Sequence, residues 1–204
     1  AGRMSPSRPV GPGRDEHRVA RITGLGIAHP LAIGHEQFWQ ALNRPVDTPP
    51  PTSFEAFDPS PWFGRNEARR LDPYVHYAVA AADLALTDAG ARDHDSERTG
   101  VVMGNLYGAG SAIDTQRSVM AAEGRAAVSA TLCAVSCEDA CASQLAIRFG
   151  ARGPCKLVVL SCASGTAAIG EAAELIASGR CDTVLAGATL GPVPEVIKAS
   201  YENA

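Results

Sequence analysis

The sequence predicts an α/β protein, with a mostly parallel mixed sheet flanked by helices. Three observations carry this expectation. Short apolar runs of buried-strand character recur at Thr99 to Met103, Lys156 to Leu160 and Thr183 to Ala188. Between them lie helix-length segments rich in small residues, long enough to carry the chain from one parallel strand to the next. Glycines stand where strands turn into helices and where helices stop.

Taken in order, residues 1–17 are rich in Pro, Gly and Arg and read as a flexible tail, with Ala1-Gly2-Arg3 ahead of Met4 read as tag-derived. Residues 18–204 read as one domain. A strand is expected near Arg18 to Thr23, followed by a Gly24-x-Gly26 turn and a helix over His35 to Leu42. Asn43 to Pro61 is proline-rich and lacks a periodic apolar face, so it reads as an irregular loop. Asp72-Pro73 starts a helix that runs from Tyr74 to Asp88 and stops at Gly90. After the strand at Thr99, the loop Gly104-Asn105-Leu106-Tyr107-Gly108-Ala109-Gly110 opens a helix over Ser111 to Ala122. A further helix is expected over Cys137 to Phe149, and another over Ser164 to Ser178, closed by Gly179.

Composition excludes several classes. The chain has 204 residues, 46% hydrophobic and 20% charged, with a formal charge of -4, so a global nucleic-acid footprint is not favoured. No stretch has the length and apolarity of a membrane span or a secretory signal. The six cysteines lack a secretory context, which argues against a disulfide framework and for a reducing cytoplasm. Cys133, Cys137 and Cys141 recur every four residues, but no second ligand pair follows, so no metal site is expected and a stripe of small apolar thiols facing the core accounts for the spacing.

The residue with the most chemistry is Cys162. In Val158 to Thr166 the chain leaves a buried strand and enters a helix within a few residues, placing Cys162 at the helix's amino end. Free N–H groups and the positive end of the helix dipole there favour a thiolate and can hold a developing oxyanion. The competing reading is a small buried hydrophobe, the usual fate of an intracellular cysteine; the strand-to-helix position outweighs it. The other five cysteines are read as structural, and His17, His29, His35, His76 and His94 as surface or loop residues.

Ordered stretches of this chain resemble the β-ketoacyl synthase family. They are Arg21 to Gly26 with Pro30-Leu31, Glu67 to Asp72, Ile147 to Pro154, Ser161 to Ile169 and Val184 to Gly187. The most specific combination is Arg148-Phe149-Gly150-Ala151-Arg152-Gly153-Pro154 shortly ahead of Cys162-Ala163-Ser164-Gly165-Thr166. The resemblance implies the amino-terminal half of a thiolase-like fold, in proteins that are dimers. It implies that Cys162 accepts an acyl chain from acyl carrier protein before a decarboxylative Claisen condensation in fatty-acid or polyketide assembly, without a cofactor. Arg69 and Arg70, with Arg65 nearby, match the segment where relatives dock the acidic carrier protein. A solvated charged face is the other reading of these arginines.

The family's catalytic histidines and lysine belong to its second half and have no counterpart in these residues. Gly187-Ala188-Thr189-Leu190 also stands where the family usually has Gly-Gly-x-Glu. The expectation is therefore a split or truncated synthase subunit that needs a complementary chain, as a homo- or hetero-oligomer with a contact through the strand beside Cys162. The alternative is a non-catalytic subunit that resembles a chain-length factor or docks carrier protein.

Overall fold

The structure is a computed structural model and describes residues 18–44, 51, 53–54 and 57–204. The expected tail, residues 1–17, lies outside the described residues, as does part of the proline-rich loop. The elements are β1 (Ala28–His29), β2 (Ala32–Ile33), α1 (His35–Leu42), α2 (Arg65–Ala68), α3 (Pro73–Asp88), β3 (Thr99–Gly104), α4 (Gly110–Glu123), α5 (Leu132–Val135), α6 (Ala140–Phe149), β4 (Cys155–Val158), α7 (Ser164–Ala177), β5 (Thr183–Ala188) and α8 (Glu195–Glu202).

The central sheet has the order β4-β3-β5 and both of its ladders are parallel. All of β3 is buried, because it is the middle strand with helices on both faces. Side chains alternate along the strands, so Val101, Met103 and Leu185 enter one core with Tyr74, Val75 and Val79 of α3 and Cys141 and Leu145 of α6. On the other face Val102 packs with Ala168, Ala172 and Leu175 of α7 and with Cys181. The result is a three-layer α/β/α arrangement that matches the amino-terminal half of a thiolase-like fold. No described helix is long and apolar enough to cross a membrane.

Helix ends follow local chemistry. Pro73 stands in the first turn of α3, and the Asp72 carboxylate accepts the Tyr74 N–H as the cap. Asp72 is 3% exposed, and it also accepts Ser111 Oγ at 2.6 Å and the Ala112 N–H at 3.0 Å, so one carboxylate starts both α3 and α4.

Three expectations are corrected. Arg18 to Thr23 forms no strand, since no described strand pairs with it to complete a ladder. The segment is held by other contacts. Gly24 and Gly26 run so close to the backbone of α3 at Ala85 and Ala81 that a side chain would collide there, and Leu25 N–H donates to Asp88 at 2.9 Å. Arg18 and Arg98 both pair with Asp182, and their guanidinium groups, Arg98 foremost, hold that carboxyl well below the usual carboxylate range.

The cysteine stripe does not exist as one face: Cys133 and Cys137 are exposed and only Cys141 is buried, because the chain kinks between α5 and α6. Burial pushes the Cys141 thiol up to about 12, so it stays protonated. His76 is a core residue on α3, 8% exposed, with Nε2 bonded to the Ala68 carbonyl at 3.1 Å.

Candidate functional site

Cys162 occupies the turn between β4 and α7 and is exposed. Ser161 makes the turn, with φ at +48°, the one non-glycine in the left-handed region among the described residues. Its backbone cost is held by a hydrogen-bond knot at Ser164, which is 4% exposed. Ser164 Oγ accepts the Leu160 N–H at 2.8 Å and shares its own proton between the carbonyls of Ser161, at 2.7 Å, and Asn105, at 3.1 Å. The last of these ties the turn to the end of β3. There Gly104 passes so close that a Cβ would lie 2.6 Å from the Ser164 backbone carbonyl.

No side chain caps α7, whose preceding residue is Ala163. Its amino end is therefore open beside Cys162, with backbone donors and a positive dipole end suited to negative charge on sulfur or on a thioester oxygen. Around the turn lie apolar side chains with nothing over them: Val159 is 51% exposed, Leu160 58% and Ile169 50%.

Arg65, Arg69 and Arg70 are all exposed, and no ion pair involves any of them among the described residues. Arg65 opens α2, Arg69 follows its last residue, and Arg70 lies in the turn before Asp72. Arg69 and Arg70 wall a cavity of about 490 Å³ with Ser111, Thr115, Gln116 and Ser129. The neighbouring acid Glu67 is engaged elsewhere, with Arg148 at 2.5 Å, which leaves the arginines free toward solvent. Among the described residues no three His, Cys, Asp or Glu side chains gather into a metal-binding group.

Sequence reasoning missed the depth of the Asp72 junction and a tyrosine pair. Tyr107 and Tyr201 meet hydroxyl to hydroxyl at 2.6 Å. Tyr107 was visible inside the glycine loop. Tyr201 lies on α8, a helix not anticipated from the sequence.

Comparison with known proteins decides the family. The model described as "Beta-ketoacyl synthase, N-terminal domain" matches residues 51–203. The chain belongs to the β-ketoacyl synthase family. A 3-oxoacyl-(acyl-carrier-protein) synthase 2 from Rhizobium meliloti is 32% identical, over 88% of this chain and 48% of its own length. Among solved structures, the ishigamide ketosynthase/chain length factor aligns with a TM-score of 0.81 at 21% identity, covering 92% of this chain and 51% of that one. A type II polyketide acyl-carrier protein in complex with its ketosynthase aligns at 0.79 and 23% identity, covering 89% of this chain and 54% of that one. This chain thus spans about half the length of the family members it matches. The matched residues include the Cys162 turn, the three arginines and Asp72.

Proposed function

We propose that this chain is a split or truncated β-ketoacyl synthase subunit of fatty-acid or polyketide assembly, in which Cys162 accepts an acyl chain from acyl carrier protein. The observation that carries this reading is Cys162 itself, exposed on a strained turn at the open end of α7. In the transfer, the Cys162 thiol loses its proton to solvent and the resulting thiolate adds to the carrier thioester carbonyl. The oxyanion rests against the amino end of α7 and then collapses. The phosphopantetheine thiolate leaves and takes up a proton.

Arg65, Arg69 and Arg70 dock the carrier through its carboxylates and the phosphate of its arm, since exposed guanidinium forks suit both groups and steer encounter. The solved complex of a type II polyketide ketosynthase with its acyl-carrier protein, to which this chain is similar, supports this part. Condensation requires decarboxylation of a malonyl thioester, attack of the resulting carbanion on the acyl group, and departure of the Cys162 thiolate. A complementary ketosynthase-like subunit supplies the groups for that step. The uncovered apolar surface at Val159, Leu160, Ile169 and Leu190 supports such a subunit, as does the ketosynthase/chain length factor pairing of a structural relative.

The test is to mix the chain with acyl-loaded carrier protein, alone and with the product of the adjacent gene, and to measure intact mass. An acyl adduct on Cys162 is expected, absent in Cys162→Ala and slowed when Arg69 and Arg70 are both changed to Glu. No adduct under either condition would sink the reading. A second reading, a non-catalytic subunit resembling a chain-length factor, draws on Leu190, an apolar residue just past β5, where the family usually carries an acid. In that case Cys162→Ala leaves pathway output intact.

A further inference from the structure

Arg148, in the last turn of α6, reaches across to the segment that carries Arg65, Arg69 and Arg70. One of its guanidinium nitrogens donates to the Trp62 carbonyl at 2.5 Å and another to Glu67 Oε1 at 2.5 Å, while the guanidinium carbon lies 4.4 Å from the centroid of the Phe63 ring. Phe63 is buried, and its ring packs in turn against His76 of α3. The fork is thus stacked on an aromatic face with donors committed on two sides, which fixes where its charge stands.

Glu67 is the one carboxylate between Asp58 and Asp72 in the sequence. Its carbonyl accepts the Arg70 N–H at 3.0 Å, so the two residues stand one helical turn apart, at the spacing where opposite charges pair. α2 buries none of its own residues, so packing does not choose the direction of the Glu67 side chain. Arg148 chooses it. Asp72, the other acid beside these arginines, is occupied by the starts of α3 and α4. Both acids are therefore turned away, and among the described residues Arg69 and Arg70 face the cavity and solvent without a carboxylate partner.

An ion pair as open to water as Arg148 with Glu67 adds little stability. Its larger effect is on where negative charge sits. An acid swung back onto Arg70 would cancel one cation of the face, and the attraction that steers an acidic partner depends on that sum.

We infer that Arg148 is a positioning residue for carrier docking: by holding Glu67 against α6 it keeps Arg69 and Arg70 unmasked toward an acidic partner. This rests on the reading of Arg65, Arg69 and Arg70 as the docking face. Arg148 touches no group of the carrier in this role and acts only through Glu67.

The test is the affinity of the full chain for a fluorescently labelled acyl carrier protein, read by anisotropy at low and at physiological salt. Arg148→Met keeps an apolar arm on the Phe63 ring and releases Glu67. It is expected to weaken binding about five-fold at low salt, the effect of one exposed charge, and by less at physiological salt. Adding Glu67→Gln to Arg148→Met restores the net charge of the unaltered chain and leaves no acid to mask Arg70, so binding returns to within about two-fold of the original. Arg148→Lys keeps a cation for Glu67 and should bind as the unaltered chain does; Arg148→Gln, polar and uncharged, replaces Arg148→Met if that variant does not fold. Unchanged affinity in the uncharged variant, or a double variant as weak as the single one, overturns the inference. If changing Arg69 and Arg70 together to Glu leaves affinity intact, the docking reading falls and the inference with it. Loss of binding there, with none in Arg148→Met, removes the inference alone.

Discussion

Replacing Asp72 by alanine removes one carboxylate from the start of two helices at once. Its oxygens accept Tyr74 N–H at 3.2 Å in α3, and Ser111 Oγ at 2.6 Å and Ala112 N–H at 3.0 Å in α4. Each lost cap costs about 1 kcal/mol. The bond from Ser111 to a charged acceptor adds about 2 kcal/mol. Relief from holding a carboxylate at 3% exposure gives part of this back, leaving a net loss of roughly 3 kcal/mol. At a typical urea slope this lowers the unfolding midpoint by about 1 M, and the thermal midpoint by roughly 6–12 °C. Urea titration followed by far-ultraviolet circular dichroism measures it. Asp72→Asn keeps an acceptor oxygen and should lose about half as much. A midpoint for Asp72→Ala within about 0.3 M of the unaltered chain, at unchanged slope, would refute the double-cap argument.

Two further outcomes follow from packing and titration. Gly104→Ala places a Cβ 2.6 Å from the Ser164 backbone, so β3 and the Cys162 turn must separate. A loss of about 2–3 kcal/mol is expected, with faster hydrogen exchange at Leu160 N–H as its bond to Ser164 loosens. At His76 burial, the largest influence, depresses the ring's pKa below its ordinary 6.5, so the folded state resists a proton that the unfolded chain takes. Stability is therefore full above the unfolded value and is lost as pH falls through it toward the folded value. The thermal midpoint should drop between pH 7.5 and 5, and His76→Gln should flatten that drop; equal slopes would count against it.

Where strand and helix identity depends on local pattern, the sequence was enough. β5 and α1 fall on their expected residues, and α3 begins at Pro73 with Asp72 as its cap, because apolar period and capping chemistry are written within a few residues. The Cys162 turn was legible for the same reason. Arg18 to Thr23 was misread because a strand exists only with a neighbour to pair with, and local apolarity does not say whether one is beside it. Cys141 owes its burial to α3 packing on α6, and His76 lies against the Phe63 ring and the Ala68 carbonyl, contacts between separate elements. The bond between Tyr107 and Tyr201 joins residues 94 positions apart, and no local pattern announces it.

The three-stranded sheet ends in β4 on one side and β5 on the other, so each presents a row of backbone groups to whatever comes near. On β4 the chain has put Lys156, tied to Glu171 of α7 at 2.8 Å. Any strand that adds there must pass an ammonium group already committed to a carboxylate, and a neighbour with a well-placed acid gains what an indiscriminate one loses. A lysine on an edge strand is one of the features by which sheet edges resist indiscriminate pairing.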